Sequence, residues 1–252
     1  MNQVILNVLC EGQTEERFVK KVLRPYLKDF GIIVKALLLL TSKKKNVRGG
    51  MINYERAKAD LHLWNKQHFK NTHETHYFTT MFDLYKLPKD FPGYGEALKT
   101  ADCYAAIRKL ENDFKQDIEI NRFIPYIQLH EFEALVFCGL DHLLEDYPDM
   151  GGEVEYLKKV VKEFDDNPEK INNRPATSPS RRIIKYFKSK HHYDKPKAGE
   201  LVTSRVGIPI LKEQCRHFKE WIEKLEKIAL DTATGYKDET SAHSVYPSFS
   251  LV

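Results

Sequence analysis

The chain has 252 residues with 42% hydrophobic and 30% charged, enough apolar material for an ordinary globular core, which excludes global disorder, a collagen-like fibre and a disulfide-stapled miniprotein. Forty Lys and Arg against 36 Asp and Glu give a net charge of +4, a mild excess that by itself assigns no partner. Four cysteines at positions 10, 103, 138 and 215 form no C-x-x-C pair, so reduced thiols are expected.

Val4 to Leu9 (VILNVL) reads as a buried strand. Thr14 opens a helix with Glu15 and Glu16 in its first turn, where carboxylates complement the helix dipole. Pro25 lies inside its apolar pattern and predicts a kink; Gly31 ends it. Ile32 to Leu40 is a second strand, followed by a basic loop over 41–50 and a helix from about Tyr54 to Phe69. Tyr77 to Phe82 is a third strand, 96–116 a helix, and Phe123 to Leu129 a fourth strand. This alternation predicts an α/β fold with a mostly parallel four-stranded sheet flanked by helices over 1–140.

Beyond residue 140 the pattern turns helical, clearest over 153–164 and 208–228, and 141–230 reads as a helical, basic elaboration packed on the first part. Residues 1–150 carry 21 basic and 21 acidic side chains, so the whole excess falls in 151–252, with 19 against 15. It concentrates in 171–197, with eight Lys or Arg against one Asp. The tail, 231–252, is polar and aperiodic. No apolar stretch approaches the ~20 residues that a bilayer span needs, and the N-terminus lacks the basic region of a signal peptide, so a soluble cytoplasmic protein without a membrane partner is expected.

Three acidic positions fall at predicted strand ends. Glu11 follows the first strand in Cys10-Glu11-Gly12-Gln13-Thr14-Glu15, where Gly12 permits a tight turn; Glu15 and Glu16 read as helix-dipole residues. Asp83 follows the third strand, and Glu131 and Glu133 follow the fourth, with Glu131 preferred as the inward one. In open α/β sheets ligands lie beyond the carboxyl ends of the strands. Carboxylates gathered there can hold Mg²⁺ or Mn²⁺, and such an ion can clamp a phosphodiester. His130-Glu131 is not a zinc-protease motif, because Ala134 stands where H-E-x-x-H needs histidine, and there is no nucleotide-binding P-loop. Cys10 beside Glu11 has its thiol pKa raised, which argues against a nucleophile. Lys43, Lys44, Lys45 and Arg48, and a second group with Arg181, Arg182, Lys185, Lys190 and Lys197, supply basic side chains. The second group is interleaved with Tyr186, Phe187 and Tyr193, a pattern that suits a nucleic-acid backbone and unstacked bases.

The stretches LCEGQTEERFVKKVLRPYL (9–27), TTMFDLYKLPKDFPG (79–93), PYIQLHEFEALVF (125–137), TSPSRRI (177–183) and GIPILKEQCRHFKEWIEKL (207–225) resemble the Toprim-like proteins grouped as domain of unknown function 4276. The resemblance implies a Toprim-like fold and a metal-dependent nuclease that works beside an ABC-type ATPase sensor in anti-phage defence, similar to the nuclease subunit of the PARIS system, which cleaves tRNA on release. It places the family glutamate at Glu11 and the first aspartate of the Toprim D-x-D at Asp83. Tyr85 stands in place of the second aspartate, which leaves one or two metals open and makes Glu131 or Glu133 the candidate replacement ligand. Arg181, Arg182 and Lys197 are then expected to position phosphates. The other reading is a catalytically silent subunit that docks a partner ATPase or nucleic acid; a topoisomerase or primase is the weakest reading. A homodimer is a further expectation.

Overall fold

A computed structural model describes residues 2–39, 53–68, 73–171, 177–188 and 190–234. The basic loop with Lys43, Lys44, Lys45 and Arg48, and most of the polar tail, lie outside the described residues.

The sheet forms as the alternation predicts. Strand β1 (Gln3–Cys10) pairs in parallel with β2 (Ile32–Leu38) on one side and β3 (Glu74–Asp83) on the other. The strand order is β2-β1-β3-β4, with β4 spanning Phe123–Ile124, and β5 (Ile127–Gln128) also pairs with β3. β1 is buried from Val4 onward because helices cover both sheet faces, as parallel sheets require. Val4, Leu6, Val8 and Cys10 point into one cluster, with Phe18, Val22, Leu27, Phe218 and Trp221. Leu9, Phe78 and Phe82 point into the other, with Tyr54, Leu61, Leu110 and Phe114. Each such apolar side chain contributes roughly 1.5–3 kcal/mol by leaving water.

Helix α1 (Gln13–Phe18) runs through a π-helical turn (Val19–Leu23) into α2 (Arg24–Lys28). The kink expected at Pro25 takes this form: proline has no N–H for the carbonyl four residues back, and the turn there widens. Helix α3 (Tyr54–His68) precedes β3, and a short 3₁₀ turn (Leu84–Lys86) follows it. The helix expected over 96–116 is two pieces, α4 (Tyr94–Ala97) and α5 (Cys103–Ile118), the second started by the Asp102 carboxylate accepting from Tyr104 N–H at 2.9 Å. The fourth strand is also divided, into β4 (Phe123–Ile124) and β5 (Ile127–Gln128), because Pro125 cannot donate to the ladder between them.

After α6 (Glu133–Val136) a 3₁₀ stretch (Phe137–Glu145) leads to α7 (Gly151–Lys162), α8 (Pro179–Phe187), α9 (Lys195–Gln214) and α10 (Arg216–Thr234). α9 breaks at Gly207, whose φ is 76°, just before Pro209. α8 and the start of α9 fall in the stretch read from sequence as a basic surface. The C-terminal helices share the β1 cluster: Val202, Phe218, Trp221 and Leu225 pack with Val8 and Phe18. Among the described residues no helix is long and apolar enough to cross a membrane.

Candidate acidic centre at the carboxyl edge of the sheet

Parallel pairing decides where Glu11 and Asp83 meet. Cys10 is in register with Met81, and Glu11 N–H extends the ladder to the Met81 carbonyl at 3.2 Å. Glu11 therefore leaves the sheet beside the last residue of β3, Asp83. Asp83 N–H donates to Glu11 Oε2 at 2.9 Å, and Asp83 Oδ1 accepts from Phe132 N–H at 2.8 Å. Both acids are buried, Glu11 at 2% exposure and Asp83 at 1%.

Two residues that sequence reasoning passed over complete the centre. Lys86 places Nζ 3.1 Å from Glu11 Oε1 and 2.8 Å from Asp83 Oδ2. Glu15, read from sequence as a helix-dipole residue, is buried against this group. A Cβ on Gly12 would come within 2.9 Å of Glu15 Oε2. The backbone of Gly12 is extended, so any demand for glycine here comes from the close approach of the Glu15 carboxylate and not from a special dihedral.

Burial sets the electrostatics. It pushes the Glu11 carboxyl up to about 7; Asp83 adds to the rise and Lys86 opposes it. Glu15 is pushed up to about 8, by burial first and then by Asp83, again against Lys86. Burial works against the Lys86 charge, but Asp83, Glu11 and Glu15 outweigh it and hold the ammonium above its ordinary pKa. The Lys86 side chain keeps 33% exposure, so the centre opens to solvent along it.

Glu131 and Glu133 lie near but have other partners. Glu131 Oε2 accepts from Ser180 N–H at 3.0 Å, at the N-terminus of α8. Glu133 Oε1 lies 3.1 Å from Lys195 Nζ, and burial pushes its carboxyl up to about 7 while Lys195 opposes. Tyr85, at the position of the missing second aspartate, stacks on His130 with ring centroids 5.1 Å apart. His130 has a left-handed φ of 64°, and burial lowers its pKa to about 4, so it is neutral near pH 7.

The basic group is largely paired. Lys197 bonds Asp146 at 2.8 Å, and Lys190 bonds Glu153 at 3.0 Å and the Asp149 carbonyl at 3.1 Å. Arg182 donates to the Thr177 carbonyl at 2.9 Å and lies over the Phe164 ring; Lys185 lies over Tyr186, and Arg181 is exposed. Of the three interleaved aromatics, Tyr186 is half-buried beside Tyr156, and the other two are out of reach of a base. Phe187 is fully buried and Tyr193 nearly so, edge to face in the core, because they are the apolar side of α8 and the turn after it. Cys10 is buried too, and burial, then Glu15, raises its thiol pKa.

A separate group with metal-ligand spacing lies at the opposite end of β3: His68, Glu74 and His76 offer ligand atoms within 4.8 Å of one another. The acidic centre does not meet that three-ligand spacing; it offers two buried carboxylate oxygens, Glu11 Oε1 and Asp83 Oδ2, on one ammonium, a donor type that suits a hard divalent ion such as Mg²⁺ or Mn²⁺, with water completing its shell, rather than a soft one.

A family model described as Domain of unknown function (DUF4276) matches residues 10–226. No curated protein and no solved structure matches the chain.

Proposed function

The chain belongs to the DUF4276 family, and on that premise we propose that it is a Toprim-like, Mg²⁺- or Mn²⁺-dependent endonuclease, an anti-phage effector that cuts tRNA once released from an ABC-type ATPase. The observation that carries this reading is one ammonium shared by Glu11 and Asp83 at the carboxyl edge of a parallel sheet. Two acids that can share an ammonium can share a divalent ion. When bound, that ion supplies Lewis-acid polarisation of a phosphodiester. Glu11 Oε1 and Asp83 Oδ2 would hold it, with Glu15 buried beside them. Glu11, with a pKa near 7, is also suited to take or give a proton at neutral pH. Arg181, exposed on α8 next to Ser180, whose N–H Glu131 accepts, would meet a phosphate.

The test uses purified protein with tRNA, and expression in cells followed by sequencing of RNA ends. Wild type is expected to cut only with Mg²⁺ or Mn²⁺, and Glu11→Ala to lose at least 10²-fold of the cutting while keeping its melting temperature in chelator within a few degrees. Cutting retained by Glu11→Ala, or unchanged by chelator, would overturn the reading. The docking-subunit reading draws on Lys86, which already fills the space between the acids; it predicts nucleic-acid binding without cutting.

A further inference from the structure

Four carboxylate oxygens belong to Glu11 and Asp83. Two of them are committed to backbone donors: Glu11 Oε2 to Asp83 N–H and Asp83 Oδ1 to Phe132 N–H. The other two, Glu11 Oε1 and Asp83 Oδ2, are the oxygens left for a cation, and both are on Lys86 Nζ, at 3.1 and 2.8 Å. The lysine reaches them because the 3₁₀ turn Leu84–Lys86 folds the chain back directly after Asp83. A divalent ion that uses the same two oxygens cannot do so while the ammonium stays.

We infer that Lys86 is a resident counter-ion that competes with the divalent cation for the Glu11–Asp83 position and must swing out for the ion to enter. Its partial exposure gives the side chain somewhere to go. Two buried carboxylates face one ammonium, so the lysine screens the centre without filling its charge; a divalent ion, with twice the charge, is held more strongly at these distances. The lysine thus sets a threshold ion concentration below which the centre is closed by its own chain. This rests on the metal-dependent reading for its ligand, but not on the nuclease reading for its chemistry.

The test measures Mn²⁺ binding to the full chain by calorimetry or by the loss of free Mn²⁺ signal in electron paramagnetic resonance. Lys86→Met is expected to bind Mn²⁺ at least tenfold more tightly than wild type, and Lys86→Arg to bind no more tightly than wild type. A Lys86→Met affinity equal to or weaker than wild type, or no binding to either protein, would overturn the inference. Should Lys86→Met not fold, acylation of wild-type lysines read by mass spectrometry decides the matter. Lys86 is expected to be protected without metal and at least several-fold more reactive at saturating Mn²⁺, while Lys20, on the outside of the π-helical turn, is unchanged. Lys86 labelling that stays flat or falls as Mn²⁺ saturates the protein would refute the displacement. Tighter Mn²⁺ binding by Lys86→Met together with no tRNA cutting by any form would leave the competition standing and remove only the nuclease reading.

Discussion

The two ends of β3 each gather ionisable side chains, and they do so in opposite ways. At the carboxyl end Glu11 and Asp83 are buried on a single ammonium with Glu15 buried beside them, and two of the three carboxyls are pushed up to about 7 and 8. At the amino end His68, Glu74 and His76 satisfy one another. His76 Nε2 lies 2.8 Å from Glu74 Oε2, its ring stacks on His68 at 4.1 Å, and Asn7 Nδ2 bonds its Nδ1 at 3.1 Å. Nine residue steps at ~3.3 Å put the two groups roughly 30 Å apart along one strand. The amino end is held by these mutual contacts, with one carboxylate among two imidazoles. The carboxyl end carries more negative charge than its one lysine balances, and buried charge in excess of its partners is costly to the fold. Such cost persists where a ligand offsets it.

The largest effect that would sharpen this contrast is the pH dependence of stability in chelator. Glu11, Glu15 and Glu133 have folded pKa values of about 7, 8 and 7 against 4.5 for an ordinary glutamate. Between these limits the folded chain binds more protons than the unfolded one, so stability is fully present below pH 4.5 and is lost as pH rises through 7 to 8. A loss of about 2 kcal/mol or more is expected from pH 5.5 to 8.5, seen as a fall of roughly 5 °C in melting temperature. Mn²⁺ should restore more at pH 8 than at pH 6, because it enters by displacing protons. A melting temperature that is flat over this range would break the contrast.

Next in size is Glu11→Gln. At pH 8 in chelator the amide removes a charge that the fold penalises, while its carbonyl can still accept from Asp83 N–H. The variant is expected to be more stable than wild type by about 1–3 kcal/mol under those conditions, and to lose Mn²⁺ binding. Destabilisation would mean that the Glu11 pair with Lys86 outweighs its burial.

The two ends also differ in how far the sequence reveals them. Glu11 and Asp83 were legible because each follows an apolar strand run, and a parallel α/β pattern sends both to one edge. Glu15 was not, because an acid in a first helical turn has a sufficient local reason to be there. Lys86 was not, because nothing local distinguishes a lysine that folds back over a strand end from one in solvent; only the 3₁₀ turn after Asp83 decides it. The sheet was legible from strand and helix alternation, but the break at Pro125 and the separate start of α5 at Asp102 are single-residue events inside longer patterns. Phe187 and Tyr193 look like exposed aromatics beside charges until α8 is in place and turns them into the core. The His68 group escaped notice because its members come from the end of a helix and the start of a strand, with no ligand spacing in sequence.

The smallest expected effect is that of Zn²⁺ on the amino end. Imidazoles and a carboxylate are good zinc ligands, so the choice depends on which His76 nitrogen has a lone pair to offer. Asn7 Nδ2 donates both to His76 Nδ1 and to the Tyr77 carbonyl, at 3.1 and 3.0 Å. Turning the amide over would set its oxygen against that carbonyl, so the amide is fixed, Nδ1 is an acceptor, and Nε2 carries the proton given to Glu74. A zinc ion on Nε2 would have to expel that proton and break the Asn7 contact, leaving Nδ1–H against an N–H donor. Metal-ligating histidines have the reverse arrangement, with the second nitrogen donating. A tenfold excess of Zn²⁺ is therefore expected to shift the melting temperature of Glu11→Gln by less than about 1 °C, within the range of a weak surface contact. A rise of several degrees that disappears in the Glu11→Gln, His76→Ala double variant would show that the amino end is a metal centre too, and that the two ends of β3 differ in the ion they take rather than in whether they take one.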